Sequence, residues 1–462
     1  MCPLKTTHSG KNLALEITPV GGMKEVGANC FLYEVIEIDP ITGHKVTVAS
    51  ILVDCGVHPS HDFDIDEIRD RFFFLKKKNV KAILLTHLHL DHAGAASIVA
   101  NMLKVPLYTP TIGRHFLEDW RDSASAEEFE DRILPEIITF KDKETLSIGP
   151  FEIFTFELAH SIPESFGFLI KVGTKKVIHF GDFKLTGYSA ETYDANIALL
   201  KKLGKKQAQL LIMETLNIKH EGITPPEEPV VNNLVEHISG NPNRKHFLFC
   251  FSTNLGRTGN LWVRLHDNDV NVVVRGSAMK RSARILSRAV NEKNLVKTFT
   301  LPNSKTTALF CTGCQGEQYS YIQRLAQGEA GYFNVSEGDH VYLSSTLIPQ
   351  EDRVQFEANK RRLRQLIQAL HAKGARIFVH TGQAKLLDLR DSVEETHLHV
   401  SGHECRGGIE QVIKILKPSM ILPYHCVATN IALVKDLVKE IEIDTGDAPI
   451  VLETSNNETI RM

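Results

Sequence analysis

Residues 86–94, THLHLDHAG, place three histidines and one aspartate within six positions. They directly follow the apolar run at residues 82–85, which is typical of a buried strand. A single histidine at a strand end is more often a hydrogen-bonded structural residue than a metal ligand. Four such groups together favour a metal centre, because zinc and manganese are bound by imidazole nitrogen and carboxylate oxygen.

The spacing of these four side chains predicts two metal positions. His87 and His89 stand two residues apart, so on an extended segment they project to the same side. Asp91 and His92 follow where the chain turns towards a helix that begins near residues 93–95. The four groups therefore surround two neighbouring points, whereas a helical pair four residues apart converges on one.

The pattern of predicted strands and helices changes along the rest of the chain. Up to about residue 210 it shows short apolar strands, and the proline-rich residues 225–229 give the strongest boundary signal. Strands then alternate with helices expected from about residues 278, 316 and 354, which is typical of a parallel α/β unit. We predict one domain interrupted by another, since 462 residues exceed one ordinary core.

The motif His87-x-His89-x-Asp91-His92 resembles the signature of the metallo-β-lactamase fold. Four further residues resemble its remaining motifs, in the expected order: Asp54, His160, Asp182 and His425. The resemblance implies these ligands: His87, His89 and His160 for one metal, Asp91, His92 and His425 for the second, and Asp182 for both. It also implies that Asp54 lies behind the ligands and supports them.

The implied cofactors are two divalent ions, Zn²⁺ or Mn²⁺. Two metals about 3.5–4 Å apart can hold a bridging hydroxide as nucleophile and clamp a scissile phosphate. The fold alone does not fix the substrate, because it carries many hydrolytic activities.

The long segment before His425 resembles the β-CASP insertion of nucleic-acid nucleases. Glu214 resembles the acidic motif of that group, and His403 resembles its histidine motif. We therefore expect an α/β protein, a metallo-β-lactamase αββα sandwich with an inserted α/β β-CASP domain. The expected parts are residues 1–218, the insertion at 219–395, and the return at 396–462. Asp91, Glu214 and His403 are the expected catalytic residues.

Within the β-CASP group the chain is most similar to ribonuclease J, over roughly residues 17–440. The similarity is carried by residues 21–29, 160–167, 312–317, 344–349 and 399–403. It implies cleavage of single-stranded RNA, internally or from the 5′ end. Four departures bear on 5′-end handling: Cys426-Val427 after the last ligand, a glycine where a histidine is common in residues 251–257, Cys314 in place of a serine, and Glu404-Cys405-Arg406 after His403. The chain is also expected to lack the C-terminal domain typical of bacterial ribonuclease J.

A phosphate-binding role is expected for His399 and Ser401. Two basic clusters lie in the insertion: Arg275, Lys280, Arg281, Arg284 and Arg288, and Lys360, Arg361, Arg362 and Arg364. They are either solvated helix faces or a groove that follows a nucleic-acid backbone.

Bulk composition limits the remaining possibilities. The net charge is −3, no apolar run is long enough to cross a bilayer, and eight cysteines in so long a chain do not form a disulfide framework. We expect a cytoplasmic protein without a membrane partner, and a homodimer stays open. The alternatives are a DNA nuclease, a small-molecule metallo-hydrolase, and a non-catalytic RNA-binding paralogue, against which the complete ligand set argues.

Overall fold

The structure is a computed structural model that describes residues 12–39, 41–58, 64–123, 133–290, 304–348 and 353–462. Its first sheet has the strand order β20-β1-β2-β3-β4-β5-β6. These strands are β1 (Asn12–Gly21), β2 (Cys30–Ile38), β3 (Lys45–Val53), β4 (Val80–Leu84), β5 (Leu107–Pro110), β6 (Ile137–Phe140) and β20 (Ile460–Arg461). The β1–β3 part is antiparallel, and β3 to β6 run parallel.

The second sheet has the order β19-β18-β11-β10-β9-β8-β7. These strands are β7 (Thr145–Ile148), β8 (Phe151–Leu158), β9 (Ser165–Val172), β10 (Lys175–Phe180), β11 (Leu210–Glu214), β18 (Met420–Tyr424) and β19 (Ile450–Val451). β8 shows how the sequence sets the two faces. Phe151, Ile153 and Thr155 are buried, while Glu152 is exposed and Phe154 is half-buried, which is the two-residue period of a strand.

The two sheets pack face to face, and helices cover their outer faces. Side chains of both sheets, among them Tyr33 and Ile51 from the first and Phe168 and Ile212 from the second, form one buried core. The helices α1 (Ile65–Phe72), α2 (Leu90–Ala93), α3 (Ala96–Leu103) and α4 (Thr111–Asp122) follow strands of the first sheet. The helices α5 (Ala190–Gly204), α12 (Arg406–Leu416) and α13 (Ala428–Thr445) belong to the second. The result is the expected αββα sandwich.

A third, wholly parallel sheet has the order β13-β14-β12-β15-β16-β17. Its strands are β12 (Lys245–Cys250), β13 (Asn271–Val274), β14 (Thr307–Cys311), β15 (His340–Ser344), β16 (Arg376–His380) and β17 (Glu394–Thr396). Its helices are α6 (Glu228–Ser239), α7 (Leu255–Asp267), α8 (Ser277–Ala289), α9 (Tyr321–Gln327), α10 (Arg353–Ala372) and α11 (Gln383–Leu386). Two separate cores lie against this sheet, as expected for an α/β unit.

The segment that forms this third sheet is inserted in the chain between two strands of the second sheet. β11 and β18 are parallel neighbours, with Glu214 opposite Tyr424, and the whole inserted unit lies between them in the chain. The fold class predicted from the sequence is therefore confirmed. The predicted boundaries at 218/219 and 395/396 stay predictions, and residues 1–11 of the first part lie outside the described residues. Among the described residues, no helix combines the length and apolar character needed to cross a membrane.

Ion pairs join α4 of the sandwich to α8 of the inserted domain. Arg284 contacts both carboxylate oxygens of the buried Asp119 at 2.6 and 3.1 Å. Arg281 approaches the same carboxylate at 3.3 Å, and Arg288 lies 2.9 Å from Asp122. Three arginines of the first basic cluster therefore contact carboxylates of the sandwich and help to fix the position of the inserted domain.

A second, fully buried network lies where the chain enters and leaves the insertion. Glu227 accepts from Lys184 Nζ at 2.9 Å and from Arg257 Nε at 2.7 Å. Arg257 also donates to the carbonyls of Ser344 and Val400 at 3.2 and 3.0 Å. Lys184 and Arg257 are 0% and 1% exposed, so the carboxylate between them is needed to compensate their charge.

Candidate metal centre

The predicted metal ligands lie at the carboxyl ends of neighbouring strands. His87, His89, Asp91 and His92 follow β4, and His160 follows β8. Asp182 follows β10, and His425 comes directly after β18. Carboxyl ends of parallel strands meet at one edge, which is where α/β proteins place their ligands. Asp54 and His425 both hold left-handed backbone conformations, with φ of 59° and 51°, which non-glycine residues adopt rarely.

The side chains form two groups that share one carboxylate. Ligand atoms within 4.8 Å of one another are offered by His87, His89, His160 and Asp182, and a second time by Asp91, His92, Asp182 and His425. In the first group, His89 Nδ1 lies 3.1 Å from both His87 Nε2 and His160 Nε2. Asp182 Oδ2 lies 3.7 Å from His87 Nε2. The structure thus brings together all seven residues predicted as ligands.

The second group surrounds the other side of Asp182. His92 Nε2 lies 3.2 Å from Asp182 Oδ1 and 3.8 Å from Asp91 Oδ2. His425 Nε2 lies 3.8 Å from Asp182 Oδ2, and its Nδ1 lies 3.6 Å from Asp91 Oδ2. Asp182 Oδ1 is buried and accepts no hydrogen bond among the described residues. A buried carboxylate oxygen that accepts no hydrogen bond is suited to bind a cation.

Hydrogen bonds behind the site orient the imidazoles. His92 Nδ1 lies 2.7 Å from Asp54 Oδ2, so it donates there and turns the lone pair of Nε2 towards Asp182. Thr86 donates its amide and its hydroxyl to Asp54, at 2.7 and 2.8 Å. The same hydroxyl oxygen, 3.1 Å from His87 Nδ1, accepts from that ring. Asp54 therefore lies behind the ligands, where a carboxylate fixes the tautomer of a metal-ligating histidine.

Charge at the site favours a cation. Burial, and then repulsion from His92, lowers the pKa of His87 well below its usual value, and burial lowers the pKa of His89 to about 4. Both imidazoles are therefore neutral, as metal ligation requires. Burial alone would lower the pKa of His92, but Asp182 and Asp54 raise it well above the usual value. The carboxylates thus draw positive charge to this position.

These donors fit two divalent ions. Neutral imidazole lone pairs converge with buried carboxylates, and the nitrogens on the far side of His87 and His92 are engaged by hydrogen bonds. A cation compensates carboxylates whose burial would otherwise be costly. Divalent metal binding is therefore supported by this donor set.

His403 and Glu214 lie beside the metal centre. His403 Nδ1 is 3.3 Å from Glu214 Oε1 and 3.9 Å from Asp182 Oδ2. Its ring stacks on that of His425 with a centroid distance of 5.5 Å. Burial would lower the pKa of His403, but Glu214 and Asp182 outweigh it and raise the pKa to about 9. The Glu214 carboxylate thus keeps a proton on His403 close to the shared Asp182.

The two residues predicted to bind phosphate lie on the same segment as His403. Ser401 Oγ accepts from Asn217 Nδ2 at 2.8 Å and from the amide of His403 at 3.1 Å. His399 Nδ1 lies 3.1 Å from Arg257 Nη1, which can only donate. Burial, and then the Arg257 charge, lowers the pKa of His399 well below its usual value. His399 is therefore neutral and carries its hydrogen on Nε2.

Sequence reasoning missed several residues that hold the site together. The carbonyl of Gly402 accepts from His160 Nδ1 at 2.7 Å, and a Cβ on Gly402 would lie 2.9 Å from the same ring. Asn29, directly before β2, contacts the second ligand group. The signal for Gly402 is a glycine between two polar site residues. The sequence signal for Asn29 is an asparagine that stands between a glycine-rich segment and a buried strand.

Glu404, which departs from the ribonuclease J pattern, is turned away from the metal centre. Its carboxylate is fully buried and accepts from the amides of Leu185, Thr224 and Cys405 at 2.6, 2.8 and 2.9 Å. It therefore joins the loop after Asp182 to the segment that carries His403. The glutamate at this position therefore adds hydrogen bonds between two segments of the site, and the predicted ligands stay in place.

Comparisons with known proteins agree with this geometry. Residues 47–219 match the metallo-beta-lactamase superfamily, and residues 243–358 match the ribonuclease J beta-CASP domain. A crystal structure of a protein of unknown function from Enterococcus faecalis V583 covers 97% of this chain and 100% of its own, with a TM-score of 0.64 at 16% identity. That likeness shows the fold. The chain thus combines a metallo-β-lactamase domain with a ribonuclease J β-CASP domain, an arrangement of hydrolases.

Curated relatives narrow the class further. Ribonuclease J of Sinorhizobium meliloti is 28% identical over 461 residues, covering 97% of this chain and 74% of the relative. Ribonuclease J of Mycolicibacterium smegmatis is 26% identical, with 89% and 68% covered, and ribonuclease J2 of Bacillus subtilis is 24% identical, with 89% and 69% covered. The chain is thus a ribonuclease J-like nuclease, and the predicted family and enzyme class are confirmed.

Proposed function

We propose that this protein is a dinuclear metal-dependent nuclease that cleaves single-stranded RNA. The observation that carries the proposal is the shared Asp182 between two His/Asp groups, with the His403–Glu214 pair beside it. The proposed ligands are those predicted from the sequence. Two bound divalent ions would activate water and stabilise charge on the phosphoryl oxygens. RNA as the substrate is supported by the names of the curated relatives.

His403 is proposed to donate a proton to the reacting phosphodiester. Its Nδ1 donates to Glu214 Oε1, which leaves Nε2 to reach a substrate oxygen. Glu214 is 0% exposed, and its other oxygen accepts from the Leu216 amide at 2.9 Å, so the carboxylate is fixed in place. Glu214 therefore acts as a positioning residue that keeps His403 protonated and oriented.

His399 and Ser401 are proposed to hold a neighbouring phosphate. A hydroxyl has one donor and two acceptor positions, and Ser401 already uses its oxygen to accept two hydrogen bonds. Its hydrogen is thus left to donate to a phosphate oxygen. The Nε2–H of His399 offers a second neutral donor. These two donors lie on the same segment as His403, which suits binding of a phosphate next to the cleaved one.

The proposal is tested with purified protein and four labelled oligonucleotides of one sequence: 5′-monophosphate, 5′-triphosphate and 5′-hydroxyl RNA, and single-stranded DNA. Each is incubated with Mn²⁺ or Zn²⁺, and bound metal is measured alongside. Wild type should bind two ions per chain and cleave RNA. Asp91→Ala and His403→Ala should lose cleavage, and only Asp91→Ala should also lose metal. Asp194→Asn, an exposed carboxylate of α5, is the matched control.

Each outcome bears on a different part of the proposal. A wild type that cleaves no oligonucleotide, or an Asp91→Ala variant as active as wild type, contradicts the nuclease assignment. Faster cleavage of DNA than of RNA contradicts the substrate. Single nucleotides from one end indicate exonuclease action, and discrete fragments indicate internal cutting.

A further inference from the structure

Asn29 is a fully buried residue among three of the four members of the second ligand group. Its Nδ2 lies 2.8 Å from His92 Nε2 and 2.8 Å from His425 Nδ1, and 3.4 Å from Asp91 Oδ2. Its Oδ1 is buried without a hydrogen-bond partner among the described residues. Neither the sequence motifs nor the family resemblance assigns this residue a role.

The backbone around Asn29 fixes the amide at this place. The Asn29 amide donates to Asp91 O at 2.9 Å, and its carbonyl accepts from Gly56 N at 2.9 Å. A Cβ on Gly56 would lie 1.8 Å from Asp91 O, and one on Gly22 would lie 2.5 Å from Asn29 Oδ1. Two positions that tolerate only glycine thus bring β2 and the Asp91 loop together, and they leave room beside the side-chain amide.

The Asn29 amide can serve this position from either end. Its nitrogen donates and its oxygen accepts, and half a rotation about the side-chain bond exchanges the two at nearly the same place. Oδ1 has no hydrogen-bond partner among the described residues that such a rotation would cost. A cation held by the second group would therefore find an amide that can turn an acceptor towards it.

We propose that Asn29 is a positioning residue for the second metal. Its amide contacts the rings of His92 and His425 together and so fixes the separation of these two ligands. This inference rests on the proposed dinuclear site. It predicts that Asn29 sets the affinity for the second ion and leaves that for the first unchanged.

The test measures metal affinity, with cleavage as a secondary readout. Metal-free wild type, Asn29→Ala and Asn29→Asp are titrated with Zn²⁺ and with Mn²⁺ by calorimetry and against a chelating dye. Loss of a hydrogen-bonding partner behind a metal ligand typically lowers affinity by about 10–100-fold. Asn29→Ala should weaken only the second ion by that amount. Asn29→Asp keeps an oxygen acceptor at this position. Its affinity for the second ion should therefore stay near that of wild type.

Asn359→Ala is the matched control for losing a buried amide far from the metal centre. Asn359 is 9% exposed, lies on α10 and accepts from Arg362 and Gln355. Equal affinities in wild type and Asn29→Ala, a tighter second ion in Asn29→Ala, or equal weakening of both ions would overturn the inference. If wild type itself binds fewer than two ions, the dinuclear proposal fails together with it. If wild type binds two and Asn29→Ala matches it, only the role of Asn29 fails.

Discussion

Replacement of Glu227 by alanine should strongly destabilise the junction between the two domains. The carboxylate is the shared partner of Lys184 and Arg257, at 2.9 and 2.7 Å, and both cations are almost completely buried. Each charge-assisted hydrogen bond contributes about 1.5–3 kcal/mol. Removing one partner of a buried pair costs about 3–5 kcal/mol, because a charge is left uncompensated. We therefore expect Glu227→Ala to lower the free energy of unfolding by about 4 kcal/mol.

Thermal unfolding followed by circular dichroism measures this loss. For a cooperative unit of 150–250 residues, 1 kcal/mol corresponds to about 2–4 °C, so Tm should fall by roughly 8–16 °C. Glu227→Gln retains one acceptor and should lose about half as much. Glu228→Ala, the exposed neighbour in the first turn of α6, should shift Tm by at most about 4 °C, since a first-turn charge contributes about 0.3–1 kcal/mol. A Glu227→Ala protein whose Tm equals that of Glu228→Ala would refute the reasoning.

The pH dependence of stability gives an independent check on the same carboxylate. Burial would raise the pKa of Glu227, but Arg257 and Lys184 outweigh it and lower the pKa below the ordinary glutamate value. Its stabilisation is therefore fully present above the unfolded pKa of about 4.3 and is lost as pH falls through the lower, folded pKa. The difference in stability between wild type and Glu227→Gln should shrink over that acidic range.

Further predictions concern the metal centre and the domain contact. Gly402→Ala should displace His160 and weaken binding of the first metal by about 10-fold or more, measured by dye competition. Glu404→Ala should lower unfolding stability by about 2–4 kcal/mol in denaturant titrations, because three backbone amides lose their acceptor. A double-mutant cycle on Asp119 and Arg284 should give a coupling energy of about 1 kcal/mol that falls with salt. Chelation should lower the Tm of wild type, since a ligand at 100 times its Kd adds about 2.7 kcal/mol.

The sequence predicted which side chains lie together in the candidate metal centre, because the signals for them are local. Four of the proposed ligands stand within six residues, and the others follow apolar strands whose carboxyl ends meet at one edge. The role of Asn29 needs the pairing between the start of β2 and the Asp91 loop, which lies 62 residues away. Such a contact depends on tertiary packing, and periodicity or spacing does not report it.

Two other features could be predicted only partly from the sequence. The helix expected from about residue 316 begins at Tyr321, because Gly316 has a φ of 73° and residues up to Ser320 form turns. The arginines of α8 allowed both a solvated face and a backbone-binding groove. Three of them contact Asp119 and Asp122 across the domain contact. Charge clustering could not reveal these acidic partners, since they lie more than 150 residues earlier in the chain.

The insertion between β11 and β18 has a consequence for biosynthesis. His425 follows Glu214 by 211 residues, although the strands that carry them are neighbours in one sheet. At about 5–20 residues per second, a ribosome takes roughly 10–40 s to make that stretch. During this interval the emerging chain carries the earlier proposed ligands but not His425, and His403 is made only near its end. The order of translation thus keeps the centre incomplete while the chain is still close to its own messenger RNA.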